Sequence, residues 1–262
     1  MWNSRTVRFT REDRRTNFFS QQGEDIYIFY NFINLKNPQG VFVELGGFDG
    51  ITYSNSKFFE DTLNFKGVLI EPTPQFHNMA RARPNCKNYN LAVAGNHEMM
   101  MMVGDSAVAG LADSMDSGHK NAWNLNSAPY LVEAMPMRDI LKKSGIDRID
   151  LLSIDVEGGE QAVLETMDFS IPTYVVVIEM DDHTPTKNEN CRNILRSSGF
   201  VFDRVLCGNE VWYNPQYPFI HSVYAPGGVP TFTTISELGN FHCLEKHCMK
   251  DVEDALRVGR RV

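Results

Sequence analysis

The chain has 262 residues, of which 42% are hydrophobic and 22% charged, and this balance predicts a folded globular protein and not a disordered one. Its formal net charge of −8 argues against a nucleic acid substrate, because phosphate backbones bind to basic grooves. No stretch approaches the roughly 18 consecutive apolar residues of a transmembrane helix, so we expect no membrane span.

The first 19 residues form a basic arm with arginines at positions 5, 8, 11, 14 and 15. We interpret it as solvated, with contact to an anionic partner as the alternative. It lacks the apolar core of a signal peptide, and the chain has no Asn-x-Ser/Thr glycosylation site. The five cysteines are odd in number and scattered. Together these features predict a cytoplasmic protein in a reducing environment.

Apolar periodicity predicts alternating helices and strands from residue 20 onwards. A helix over 20–35, with Ser20 as its N-cap, precedes a first strand at 41–45 and a glycine-rich turn that opens a second helix at 54–65. The following elements are a second strand at 68–71, a short helix at 75–83, a third strand at 88–94 and an extra strand at 99–103.

Residues 104–130 are rich in small and polar side chains and lack a clear period. A stretch of this length without regular structure is usually a functional loop or lid, and a tolerated surface insertion is the alternative. Trp123 and Tyr130 are the aromatic side chains in it that are suited to stacking on a sugar ring.

The alternation resumes after residue 136, with helices at 137–144, 159–167 and 189–198 and strands at 149–155, 174–179, 200–206 and 210–213. Only residues 207–209 join the last two strands, so we expect a hairpin with an antiparallel last strand. The sequence therefore predicts an α/β, Rossmann-like fold, a seven-stranded, mostly parallel sheet with helices on both faces, and this arrangement resembles the class I methyltransferase fold. We place this domain at 20–218, followed by a C-terminal extension at 219–262.

The turn after the first strand indicates the type of nucleotide ligand. A dinucleotide fingerprint that starts at Gly46 requires glycines at positions 48 and 51, where the chain has phenylalanine and isoleucine. Glu44 and Asp49 beside the turn would repel a pyrophosphate. The same carboxylates suit the amine and sulfonium of S-adenosylmethionine, with Gly46, Gly47 and Gly50 allowing close approach of the backbone.

Further cofactor contacts are expected along the next two strands. Glu71 lies about twenty residues beyond the turn, where an acid binds the ribose hydroxyls. Pro72 is expected to shape the wall beside the adenine, and Asn90 and Ala92 to end the strand where the adenine is recognised. Gln22 either reaches over the cofactor or lies on the surface of the first helix.

Acidic residues also end the fourth and fifth strands. Asp155 is placed to face both cofactor and acceptor, and Glu179, Asp181 and His183 lie nearby across the sheet edge. In one interpretation Asp155, Glu179 and His183 are catalytic, with a general base among them for an acceptor hydroxyl. In another, Asp155, Glu179 and Asp181 bind a divalent cation such as Mg²⁺. In a third interpretation, these residues form a solvated acidic loop at the sheet edge.

Three motifs carry a family resemblance. They are Ser-Gln-Gln-Gly-Glu-Asp at 20–25, Val-Glu-Leu-Gly-Gly-Phe-Asp-Gly at 43–50, and Ile-Asp-Leu-Leu-Ser-Ile-Asp-Val-Glu-Gly-Gly-Glu at 149–160. Across roughly residues 20–215 the sequence resembles the FkbM family of S-adenosylmethionine-dependent methyltransferases. The resemblance implies O-methyl transfer to a hydroxyl of a sugar, glycan or other small-molecule acceptor. The alternatives are a non-catalytic cofactor-binding module and an NAD-dependent oxidoreductase.

Overall fold

The computed structural model describes residues 17–33, 40–114, 128–180, 184–217 and 240–241. The helices are α1 (Glu24–Phe32), α2 (Lys57–Leu63), α3 (Phe76–Ala82), α4 (Met137–Ser144), α5 (Glu160–Thr166) and α6 (Pro185–Ser197). The strands are β1 (Asn17–Phe18), β2 (Val41–Leu45), β3 (Lys66–Ile70), β4 (Lys87–Tyr89), β5 (Ala92–Val93), β6 (Glu98–Val103), β7 (Gly110–Leu111), β8 (Tyr130–Met135), β9 (Ile149–Ile154), β10 (Thr173–Glu179), β11 (Val201–Leu206), β12 (Asn209–Tyr213) and β13 (Asn240–Phe241).

The main sheet has seven strands in the order β11-β12-β10-β9-β2-β3-β4. Its core strands are parallel, and β12 runs antiparallel to both β10 and β11. The mostly parallel α/β architecture that the alternation of elements predicted is therefore present. Because neighbouring parallel strands end at the same edge, this topology brings the carboxyl ends of β3, β2, β9 and β10 side by side.

Each face of the main sheet packs against its own helices. Phe42, Leu69 and Leu151 point to the side that is covered by α1, α2 and α3. Their neighbours in sequence, such as Val43 and Leu152, point to the opposite side and pack against α4, α5 and α6. Strands that are buried on both faces need continuous apolar runs, which explains why β9 and β10 are almost uniformly hydrophobic.

A second sheet of four strands, in the order β5-β8-β6-β7, follows the third strand of the main sheet. The predicted strand at 88–94 is wrong as a single element: it divides into β4, in the main sheet, and β5, in the small sheet. The division occurs at Asn90, whose side-chain amide donates to the backbone oxygen of Glu71 at 2.9 Å. The predicted extra strand is β6, and residues 115–127, with Trp123, lie outside the described residues.

The first helix is shorter than predicted and Ser20 is not its N-cap. The cap is Gly23, in the left-handed conformation with a φ of 86°. The Ser20 hydroxyl instead donates to the carboxylate of Asp25 at 2.5 Å, and the same carboxylate accepts the backbone N–H of Phe19 at 2.7 Å. Phe18 and Phe19, from the segment predicted as an arm, are buried in the core beside α1 and α2.

Cys86 and Cys191 are free thiols, whereas Cys207 is disulfide-bonded. The expectation of reduced cysteines is therefore wrong at Cys207, because scattered spacing in sequence does not reveal which cysteines meet in the fold. In the part of the chain that the structure describes, no helix is long and apolar enough to cross a membrane.

Candidate active site

A cavity lies at the carboxyl edge of the main sheet. Its volume is about 590 Å³, which includes solvent space at its opening. The turns after β2, β3 and β9 form one side, and the small sheet forms the other. Five of the predicted site residues line it: Gly46, Glu71, Pro72, Ala92 and Asp155. The topology thus brings residues that are more than 100 positions apart in sequence to one cleft.

The turn after β2 depends on its glycines because of close packing. Gly46 has a φ of +76°, and a Cβ there would lie 1.8 Å from the backbone oxygen of Asp155. A Cβ on Gly47 would lie 2.5 Å from the sulfur of Met79, and Gly50 has a φ of +83°. Larger residues would therefore push the turn away from β9 and α3.

Glu71 is held rigidly at the cavity wall. One carboxylate oxygen accepts the backbone N–H of Phe48 at 2.7 Å, and the other accepts that of Thr73 at 2.8 Å. The side chain is buried, and this burial raises the pKa of its carboxyl group above the ordinary value. Each carboxylate oxygen can accept more than one hydrogen bond, so Glu71 can still bind ligand hydroxyl groups.

The apolar end of the cavity lies beyond Glu71, where Pro72 and Ala92 are joined by Leu91, Met102 and Leu111. Sequence reasoning missed this contribution of the small sheet. The four consecutive methionines at 99–102 have no alternation of apolar and polar residues, so the sequence carried no signal for which face of this sheet is covered.

Glu44 is buried beside the glycine turn. It is not one of the described residues that line the cavity. Its carboxylate accepts hydrogen bonds from the backbone N–H of Asn55 at 2.7 Å and from the hydroxyl groups of Ser54 and Ser56 at 2.9 and 2.5 Å. In this structure Glu44 therefore holds the segment before α2 in place.

Arg83 completes the same network and was not identified from the sequence. Its fully buried guanidinium donates to the backbone oxygen of Gly50 at 3.0 Å and to the hydroxyl groups of Ser54 and Ser56 at 3.2 and 3.0 Å. It also forms an ion pair with Glu60. Arg83 lies at the end of α3, so it ties the glycine turn to this helix.

Three carboxylates meet beside the other end of the cavity, where Asp155 and Glu157 belong to its lining. One oxygen from each of Asp155, Glu157 and Glu179 lies within 4.8 Å of the others. Burial, followed by the neighbouring charge of Glu157, raises the pKa of Asp155 well above its ordinary value. The structure thus brings together Asp155 and Glu179 as predicted and adds Glu157. The two remaining candidates, at positions 181 and 183, lie outside the described residues.

Gln22 contacts the hairpin between β11 and β12 and is not among the described residues that line the cavity. Its amide oxygen accepts from the backbone N–H of Gly208 at 3.1 Å and from the Asn209 side chain at 3.0 Å. Glu24 also accepts from Asn209, at 2.5 Å. Burial raises the pKa of Glu24 to about 7, and its charge contributes to the raised pKa of Asp155.

Comparison with known protein families gives one match. The family described as Methyltransferase FkbM domain matches residues 44–202, which is more than half of the chain and includes the turns after β2, β3 and β9. No curated protein matches the chain significantly. The chain therefore belongs to the FkbM family of methyltransferases.

Proposed function

We propose that this methyltransferase uses S-adenosylmethionine to methylate a hydroxyl group of a sugar, glycan or similar polyhydroxyl small molecule. The observation that carries the proposal is the chemistry of one cavity: a carboxylate cluster at one end, Glu71 in the middle and an apolar wall at the other end. Family membership supports the cofactor, since methyl transfer in this family implies S-adenosylmethionine.

The residues of the cavity fit this cofactor better than a dinucleotide. None of the described residues that line the cavity is Lys, Arg or His, so no cationic side chain is available there for a pyrophosphate. Glu71 suits the ribose hydroxyls, and the apolar residues Leu91, Met102 and Leu111 suit an adenine ring. The acidic end favours the amine and the sulfonium.

When bound, the cofactor supplies a methyl group that is activated by a sulfonium leaving group. The protein has to place the acceptor oxygen in line with that methyl and remove the hydroxyl proton. We assign the proton to the carboxylate of Asp155, because a raised pKa makes a carboxylate a stronger base near neutral pH. Glu179 lies beside it, and His183 stays a prediction from the sequence.

A divalent cation is the alternative use of the acidic cluster. Carboxylate oxygens are the ligands that Mg²⁺ prefers, and a bound cation would both hold an acceptor diol and lower the pKa of Asp155. Treatment with EDTA separates the two chemistries: activity that is lost and then restored by Mg²⁺ requires the cation, whereas unchanged activity leaves a carboxylate or His183 as the base.

The proposal is tested by transfer of a labelled methyl group from S-adenosylmethionine to a panel of glycans and polyols, with Asp155→Asn as the control. We expect label on an acceptor oxygen with the wild-type protein and none with the variant. Cofactor binding without transfer to any acceptor would indicate a non-catalytic binding module instead. Transfer to a nitrogen atom would contradict the assignment of the acceptor group.

A further inference from the structure

The turn between β9 and α5, residues 155–159, has a strained conformation at the acidic end of the cavity. Glu157 has a φ of +54°, in the left-handed region that non-glycine residues rarely adopt, and Gly158 follows with a φ of 107°. Asp155 and Glu157 both line the cavity from this turn. Such strain persists only where the surrounding structure imposes it.

Glu160 provides this restraint from the first residue of α5. One oxygen of its carboxylate accepts the backbone N–H of Gly158 at 3.0 Å and that of Val156 at 3.3 Å. These two amides flank Glu157, so a single carboxylate oxygen fixes the backbone on both sides of the strained residue. The Glu160 side chain is fully buried.

Lys187 holds the other oxygen of the same carboxylate. Its ammonium group lies 2.5 Å from Glu160, and 11% of the lysine side chain is exposed. Lys187 belongs to the first turns of α6, which packs against α5. A fully buried carboxylate that loses its cationic partner is strongly disfavoured, so the position of Glu160 depends on Lys187.

We propose that Lys187 and Glu160 are positioning residues: Lys187 fixes the buried Glu160 carboxylate, and Glu160 fixes the turn that presents Asp155 and Glu157 to the cavity. The consequence for ligand binding rests on the proposed function, whereas the effect on the turn does not. The ion pair therefore links helix α6, which has no residue in the described cavity lining, to the geometry of the acidic cluster.

The test compares Lys187→Met with Arg192→Met, a matched control on the same helix. Arg192 also pairs with a buried carboxylate, that of Glu210 at 2.7 Å, but Glu210 makes no hydrogen bond to residues 155–159. A third variant, Lys187→Arg, keeps a cationic side chain at position 187. Amide hydrogen exchange at single residues reports on the turn, and calorimetry with S-adenosylhomocysteine reports on the cavity.

For Lys187→Met we expect exchange at Val156 and Gly158 to accelerate by about tenfold or more, the range for hydrogen bonds to a charged group. Affinity for S-adenosylhomocysteine should fall by a similar factor. Arg192→Met and Lys187→Arg should keep both properties close to those of the wild type. The acceleration of exchange should be confined to the turn and should not be explained by a lower thermal midpoint of the whole domain. An ion pair with a merely structural role would instead accelerate exchange throughout the domain.

Equal exchange in Lys187→Met and Arg192→Met would overturn the proposal, as would acceleration spread evenly over the whole domain. If the wild-type protein does not bind S-adenosylhomocysteine, the proposed function fails. In that case the exchange measurement alone still decides whether Lys187 and Glu160 hold the turn.

Discussion

Replacement of Arg83 with methionine should destabilise the fold because of the number of polar groups that would lose their partner. Its guanidinium, which is not exposed to solvent, donates to the backbone oxygen of Gly50 and to two serine hydroxyls, and it pairs with the carboxylate of Glu60, whose side chain is 13% exposed. Removal of one partner of a buried ion pair costs about 3–5 kcal/mol of unfolding free energy. For a domain of this size, that corresponds to a fall of about 6–20 °C in the thermal midpoint.

The assay is urea and thermal unfolding of Arg83→Met, with Asp61→Asn as the control. Asp61 forms an exposed pair with Lys57 at 2.6 Å on α2, and exposed pairs contribute at most about 1 kcal/mol. The variant should also bind S-adenosylhomocysteine more weakly, since Arg83 joins the glycine turn to α3. Destabilisation no greater than that of the control would refute the view that this network holds the turn.

Three further outcomes are expected. Glu71→Ala should weaken S-adenosylhomocysteine binding by about 1–3 kcal/mol in calorimetry, and unchanged affinity would contradict the ribose contact. Asp155→Ala should abolish methyl transfer but keep the wild-type thermal midpoint. An active variant would contradict the assignment of Asp155 to the catalytic site. Burial raises the pKa of Glu24 from 4.5 to about 7, so the folded state holds a proton that the unfolded chain releases. The free energy of unfolding should therefore decrease as the pH rises from 4.5 to 7. In urea titrations, Glu24→Gln should reduce this dependence of stability on pH.

The acidic residues at the strand ends could be identified from the sequence because of strand alternation. Glu44 follows Phe42 by two positions, and Glu71 follows Leu69, so each shares a face with a core residue of its strand. Parallel strands end at one edge, and this places such residues in one row. The residue types and the topology together were sufficient to predict that these carboxylates lie along one edge of the sheet.

The partners of these residues could not be predicted in the same way. Arg83 and Lys187 act across helices that are close only after folding, and neither has a distinctive local sequence. The hydrogen bonds that the Glu44 carboxylate accepts from residues 54–56 were not predicted for the same reason, and its contact with the cofactor stays a prediction. The third strand divides at Asn90, whose side chain donates to the backbone oxygen of Glu71, and hydrophobic periodicity does not reveal such a contact.

The most direct test of the central claim is a calorimetric titration of the wild-type protein with S-adenosylhomocysteine and, separately, with NAD. We predict saturable binding of S-adenosylhomocysteine that is weakened in Glu71→Ala, with no binding of NAD. Binding of NAD without any response to S-adenosylhomocysteine would contradict the assignment of the cavity as an S-adenosylmethionine site.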